Sequence, residues 1–252
     1  MLNQYLAITQ SLIQTPASPV PLITTALLTT YINLARGQIA AQGECVPAIG
    51  AINTTTGVSG YQFTTIQFSP TDAPSIKNAI AIRMINLVTA TGQQRLVVRE
   101  WPWFNNYIIA RPVENTGPPK IWTQYRQGSP QGVIFINIPN AVYSLAIDAI
   151  CVPVDLVDDT TPEILPYLWT DAVPFYAAWY AFMAFQRQAD ADHMLERYTQ
   201  MMGRARSGVT PGVLPGTYSQ GPDPMLPNRL GGPPQREGGQ RPPPRAAAGP
   251  GG

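Results

Sequence analysis

The sequence has little charge. Charged side chains make up 12% of the 252 residues, against ~25% in an average soluble domain. The 16 basic and 15 acidic residues nearly cancel, and the basic ones do not cluster as they do in proteins that grip DNA phosphates. This argues against tight nucleic-acid binding, although a protein that merely surrounds DNA would look the same. A surface made largely of Thr, Gln, Asn, Ser and Gly suits a subunit whose faces are covered by neighbours.

Cysteine and histidine are also scarce. Cys45 and Cys151 are too few for a disulfide scaffold or a Cys-only zinc site. We expect two buried free thiols, with a single disulfide as the alternative. The one histidine, His193, shares a helical face with Asp190 but with no further ligand, so we expect a solvated polar face and neither metal nor cofactor.

No long hydrophobic run occurs. The most apolar stretch, residues 172–185, is shorter than the ~20 residues that a membrane span needs. The N-terminus lacks the basic start and apolar run of a signal peptide. We therefore expect no membrane segment and folding in a cytoplasm.

Motifs for catalysis are missing as well. Four acids lie within nine residues, namely Asp155, Asp158, Asp159 and Glu163. An acid/base pair needs one desolvated member and a cleft between the two groups, whereas a run in a Pro-bounded segment favours a loop. No phosphate loop, nucleophile elbow or metalloprotease motif is present. The sequence therefore predicts a protein that is not an enzyme.

The chain reads as helix, sheet, helix and tail. Apolar residues at helical spacing predict a first short helix over residues 2–13, and a second ending near Gln42 and Gly43, with Ser18 as its N-cap and Pro19 in its first turn. Alternating apolar residues then predict strands, including a hairpin over residues 80–99, and strands over 132–138 and 143–151.

Helical periodicity returns at Thr170. It predicts one continuous helix to about Arg206, on the order of 50 Å long at ~1.5 Å per residue. The predicted fold class is α+β, with a discontinuous helical domain, an inserted antiparallel β domain and an extended tail. The boundaries are 1–43 for the first helical part, 44–165 for the β insert, 166–206 for the long helix and 207–252 for the tail.

Aromatic residues are concentrated at the start of the last helical segment, more densely than one small domain requires for its own core. Because Trp and Tyr are enriched at protein interfaces, we expect some to contact a neighbouring subunit. The candidates are Trp169, Phe175, Tyr176, Trp179 and Tyr180.

In the tail, 22 of the 46 residues are Gly or Pro, so no core can form from it and an extended or disordered segment is predicted. Its spaced arginines can bind carboxylates on a partner. The predicted anchors are Tyr218, Leu226, Arg229, Leu230, Arg236, Arg241 and Arg245.

Several strings resemble the head-to-tail connector (adaptor) proteins of short-tailed, podovirus-like double-stranded-DNA phages. The sheet-to-helix junction is LVDDTTPEILPYLWTDAVPFYAA at residues 156–178. The others are FQRQADAD at 185–192, MMGRAR at 201–206, PPKIWTQY at 118–125 and YINLAR at 31–36. The likeness covers residues 3–206.

The resemblance implies a structural virion protein at the head-tail junction. Such proteins form a ring, commonly of twelve copies, below the portal, and continue the DNA channel to the tail. The implied partners are further copies of the chain, the portal protein, and a tail or nozzle protein, with genomic DNA passing through without sequence-specific binding. The C-terminal segment would reach the portal, although the Pro/Gly-rich tail departs from the family's pattern.

Other functions stay open at this point. One is another structural virion component, such as a tail-tube, neck or minor capsid subunit. A second is a carbohydrate- or protein-binding β module that uses Trp101, Trp103 and Trp122 as a platform. A hydrolase is the least supported.

Overall fold

Helices form both ends of the described chain and strands lie between them, which confirms the predicted α+β class. The computed structural model describes residues 1–14, 23–111, 115–129 and 131–208. The N-terminal and C-terminal helices and both sheets share one apolar core. The division into a helical domain and an inserted β domain stays a prediction.

The first two helices are α1 (Leu2–Gln14) and α2 (Thr25–Gly43). The described part of α2 begins after Thr24, whose hydroxyl accepts the backbone N–H of Leu27 at 3.3 Å and so satisfies one of the free N–H groups of the first turn. The N-cap is therefore Thr24, and the predicted cap Ser18 and Pro19 lie outside the described residues. After Gly43, Glu44 takes a left-handed conformation with φ 48° and ends the helix.

The strands of the described residues form two sheets. Their bounds are β1 Pro47–Asn53, β2 Gly60–Gln62, β3 Gln67–Phe68, β4 Ile76–Thr89, β5 Gly92–Arg95, β6 Val97–Val98, β7 Ile121–Tyr125, β8 Val133–Ile136 and β9 Ser144–Pro153. The first sheet has the order β3-β1-β9-β4-β5 and is antiparallel throughout, including the predicted β4–β5 hairpin. The second has the order β2-β8-β7-β6, and its β6–β7 pair is parallel. That pair departs from the predicted antiparallel pattern.

Between β6 and β7, a short helix α3 (Trp101–Phe104) continues into a π-helical turn, Asn105–Ile109. Pro102 lies in the first turn, where its missing N–H removes no helical hydrogen bond.

The C-terminal helices are α4 (Tyr167–Thr170), α5 (Val173–Ala184) and α6 (Gln188–Gly208). The single continuous helix predicted over residues 170–206 is therefore interrupted. Gln186 has φ 57°, and the N–H groups of Gln186 and Arg187 bond to the carbonyls of Met183 and Phe182 at 3.1 and 3.0 Å. This is a Schellman ending that uses Gln where Gly is usual, which is why the sequence pattern did not reveal it.

Candidate functional site

Arg36 and Glu163 form a buried ion pair where the chain leaving the sheet passes over α2. Their side chains are 1% and 6% exposed, and two contacts of 2.9 Å join Nε to Oε2 and Nη2 to Oε1. Such two-point pairing is the strongest form of an arginine–carboxylate contact. It attaches the segment between β9 and α4 to the middle of α2.

The rest of this site is hydrogen-bonded too. Arg36 donates to the carbonyl of Val154 at 2.7 Å, and Glu163 accepts from the Tyr5 hydroxyl at 3.0 Å and from the Leu165 N–H at 3.0 Å. Burial, and next the charge of Glu163, raise the pKa of Tyr5 well above its ordinary value, so the hydroxyl stays protonated. The pair therefore joins α1, α2 and the connection to α4.

Asn33 extends the same contact along α2. Its side chain accepts the N–H of Leu156 at 2.8 Å and donates to the Leu156 carbonyl at 3.0 Å. An extended segment buried against a helix has no sheet partner for its backbone groups, and the amide of Asn33 supplies one. The string at 31–36 and the string at 156–178 therefore meet in space.

The remaining members of the acidic run also have structural contacts. Asp155 pairs with Lys77 at 2.7 Å on the surface. Hydrogen bonds from the side chain and backbone of Thr160 lower the pKa of Asp158, and the N–H of Asn3, at 2.9 Å, lowers that of Asp159. The segment is a loop between the sheet and the helices, as expected, and its carboxylates tie it to α1, to β4 and to itself.

Sequence reasoning missed the pairing of Arg36 with Glu163. A signal was present, since Arg36 is the single charged residue of α2. An isolated charge in an otherwise uncharged helix indicates burial with a partner more than it indicates a solvated face.

The aromatic candidates divide by burial. Trp169 and Tyr176 are 3% and 9% exposed, so they belong to the core of the chain itself rather than to a surface available to a neighbour. Phe175, Trp179 and Tyr180 keep part of their surface exposed. A neighbour contact stays a prediction for these three.

A ring cluster joins three helices beneath that surface. Tyr180 of α5 stacks on Tyr31 of α2 with centroids 5.7 Å apart, and Tyr176 lies 4.5 Å from Tyr198 of α6. Trp179 contacts both Tyr176 and Tyr180, at 5.0 and 4.8 Å. Aromatic contacts at these distances add to the burial energy of the rings. The partly exposed Trp179 and Tyr180 are thus held in fixed orientations.

The outer faces of three helices carry no charge. Helices α1 and α5 contain no charged residue, and the one in α2 is the buried Arg36. Both α1 and α2 pack against α5. Four apolar side chains on these helices are between 39% and 49% exposed, namely Ile8, Leu27, Leu34 and Met183. Helix α6 differs, because acids and arginines cover much of its surface.

The histidine and the two cysteines do not form a metal site among the described residues. His193 is exposed on α6, and among the described residues no group of three His, Cys, Asp or Glu side chains could hold a metal ion. Cys45 and Cys151 are free, Cys151 fully buried and Cys45 partly so. Desolvation by burial raises the pKa of each thiol to about 12.

The proposed tryptophan platform is not formed as predicted. Trp122 is 2% exposed in the core, whereas Trp101 and Trp103 lie partly exposed on the short helix α3. A sugar platform needs open ring faces, and Trp101 instead packs on Tyr125 and Phe135 at 5.0 and 4.7 Å.

The predicted tail anchors all lie outside the described residues, so their role stays a prediction. They are Tyr218, Leu226, Arg229, Leu230, Arg236, Arg241 and Arg245. Within the described segments, no helix combines the length and apolar character that crossing a membrane requires.

Comparison with known families finds a match over most of the chain. The sequence model described as SU10 adaptor protein matches residues 4–217, and therefore nearly all of the described fold. No curated protein matches the sequence.

Proposed function

Since the chain belongs to the SU10 adaptor protein family, a family of structural phage adaptors, we propose that its copies form a ring below the portal, which continues the DNA channel and provides the attachment site for the tail. The family match over residues 4–217 is the observation that carries this proposal. The match confirms the resemblance read from the sequence. Twelve copies is the number that the resemblance implies.

The uncharged outer faces of α1, α2 and α5 support contact between copies. A surface helix usually presents charged side chains to water, and the core of a protein interface is depleted of charge. Leu27 and Leu34, at 39% and 49% exposure, lie on the side of α2 opposite the buried Arg36. We place the subunit interface on these faces, with Phe175, Trp179 and Tyr180 as its aromatic contacts.

The near-zero net charge suits the passage of DNA. A formal charge of +1 over the whole chain supplies little attraction for phosphates. DNA could then move through the ring without being held, and no sequence-specific contact is proposed.

We place the portal contact in residues 207–252, with the tyrosine, leucine and arginine anchors named above lying along the portal. An extended Pro-rich chain loses little conformational entropy on docking. Truncation after Gly208, the last residue of α6, keeps every described helix. The truncated protein should fold, yet bind purified portal much more weakly than the full chain; unchanged binding would contradict the portal contact alone.

The ring is tested by native mass spectrometry of the purified chain with and without portal. Leu34→Glu on α2 should abolish the ring, because it buries a charge at the proposed interface. Leu195→Glu, on the charged helix α6 at 36% exposure, is the matched control and should leave the ring intact. Rings of equal stability in both variants would show that the interface lies elsewhere.

Another virion component, such as a tail-tube, neck or minor capsid subunit, is the alternative. Electron microscopy of virions with an antibody against this chain distinguishes them by position. Label between head and tail supports the adaptor, whereas label along the tail or over the capsid overturns it. The tryptophan binding module is not retained, since Trp122 is buried.

A further inference from the structure

The edge strand β6 exposes an apolar surface bordered by arginines. Val97 and Val98 are 50% and 55% exposed, and β6 is the last strand of its sheet. The N–H groups of Val97 and Arg99 bond to the carbonyls of Lys120 and Trp122 at 2.8 and 2.9 Å. Because successive residues of a strand direct these groups to opposite sides, those of Val98 point away from the sheet.

Arg99 directly follows this strand and Arg126 directly follows the neighbouring β7, and each lies over an aromatic ring. The guanidinium carbon of Arg99 lies 5.2 Å from the ring centre of Trp103, and that of Arg126 lies 5.8 Å from the ring centre of Tyr125. Stacking orients a guanidinium while leaving its N–H groups free to pair with a carboxylate. Both side chains are exposed, and neither forms an ion pair with any residue that the structure describes.

Further arginine and aromatic side chains, and two grooves, lie next to β6. Arg95 is exposed at the other end of the strand, also without an ion pair among the described residues, and Tyr107 is 54% exposed beside Trp103. Open grooves of about 290 and 480 Å³ flank the strand. Among the described residues that line them, Glu100 is the one acid.

We propose that this arginine–aromatic surface (Val97, Val98, Arg99, Trp103, Tyr107 and Arg126) binds an extended, acidic segment of another virion protein. Trp, Tyr and Arg are the residues that contribute most to protein–protein affinity. The valines supply an apolar contact and a free strand edge, and the arginines supply pairing with Asp or Glu of the segment. This inference rests on the proposed adaptor function and assigns a partner surface to the β region.

Charged residues at a sheet edge can also serve only to prevent unwanted pairing. That role needs a charge in water, and it needs neither two half-exposed valines nor guanidinium groups oriented by stacking. The stacked arrangement instead matches a surface prepared for binding, since less side-chain entropy is lost when a partner arrives.

Among the residues that the structure describes, no edge strand of a second copy supplies an acidic segment. The other sheet edges are β2, β3 and β5, and none contains Asp or Glu. Exposed acids such as Asp192 and Glu196 lie on helix α6, which has no strand edge to offer.

Single-stranded nucleic acid is also disfavoured. Base binding needs open ring faces. Trp101 and Tyr125 pack on each other, Trp103 packs on Tyr107, and Arg126 and Arg99 lie over two of these rings.

Photo-crosslinking in purified virions tests the proposal. Tyr107 is replaced by p-benzoylphenylalanine, with Val142, 68% exposed outside the surface, replaced as the control. The expected result is a crosslink from position 107 to a peptide of a different virion protein that contains several Asp or Glu residues. A crosslink to another copy of this chain, to DNA, or to nothing would overturn the proposal.

A charge exchange gives the second measurement. The acidic peptide identified by the crosslink is synthesised and titrated against the full chain. Arg99→Glu with Arg126→Glu should weaken binding about tenfold or more, since a charged pair across an interface is replaced by repulsion. A peptide with its acids changed to Lys should restore binding to this variant. Equal affinity of wild type and variant refutes the proposal.

Arg197→Glu, an exposed arginine of α6, is the matched control and should leave peptide binding unchanged. Circular dichroism of each variant checks that the fold is retained. Absence of this chain from purified virions would overturn the adaptor function itself, whereas presence of the chain without the crosslink overturns this inference alone.

Discussion

Removing one member of the Arg36–Glu163 pair should destabilise the whole fold. Arg36→Met keeps an apolar chain of similar length but removes the guanidinium. Glu163 is then left 6% exposed without its counter-charge, and the Val154 carbonyl loses its 2.7 Å donor. Glu163→Met leaves the charge of Arg36 buried instead.

The size of the effect follows from burial. Breaking a buried pair by removing one partner costs about 3–5 kcal/mol. For a chain of this size that loss lowers Tm by roughly 6–20 °C. Changing both residues to Met should regain a large part of it, because two apolar side chains leave no buried charge. The hydroxyl of Tyr5 and the N–H of Leu165 lose an acceptor, so full recovery is not expected.

The assay is thermal and urea unfolding of the two single variants and the double variant, which together give a coupling energy. Lys77→Ala is the matched control. It breaks the Lys77–Asp155 contact, which is also short, at 2.7 Å, but 52% exposed on each side. It should cost about 0–1 kcal/mol. An Arg36→Met variant no less stable than Lys77→Ala would refute the reasoning.

Three further outcomes are expected. Asp159→Ala should lower Tm at pH 7, because a carboxylate whose pKa is lowered in the folded state stabilises the fold at pH values above its ordinary pKa of about 3.9. The difference in Tm from wild type should shrink as the pH falls through the folded pKa. A difference that stays constant with pH contradicts this. At pH 8, Cys45 and Cys151, with pKa values of about 12, hold about one thiolate in 10⁴, so a thiol reagent should label them only on unfolding. Gly132→Ala should destabilise, since its Cβ would lie 2.3 Å from a core phenylalanine ring, whereas Gly203→Ala on α6 meets open space and should stabilise by up to about 1 kcal/mol; equal Tm values for the two would contradict this.

Much of the fold could be predicted from the sequence, because local periodicity carries it. The spacing of apolar residues in 2–13 gives a helix whether or not anything else is known, and the alternation over 143–151 gives a strand. The helix–sheet–helix order and the α+β class follow from these patterns. The absence of catalytic motifs and the junction strings likewise needed no coordinates to point to a structural adaptor.

Long-range contacts decided the rest. Nothing local indicates that Arg36 meets Glu163, which is 127 residues away, or that Val97 runs parallel to Ile121. The break at Gln186 could not be predicted because the glycine usual at a helix end is absent. The turn is instead closed by backbone N–H groups of residues 186 and 187, which donate to carbonyls of α5.

Burial was the other property that the pattern could not assign. The sequence pattern does not distinguish the aromatic residues Trp169, Tyr176 and Trp179. In the structure the first two lie in the core, whereas Trp179 stays partly exposed. Secondary structure depends largely on residues that are close together in the sequence, so the sequence shows the relevant neighbours directly. The partner of a buried charge and the exposed side of an aromatic ring depend on how distant segments pack, and only the tertiary structure determines that.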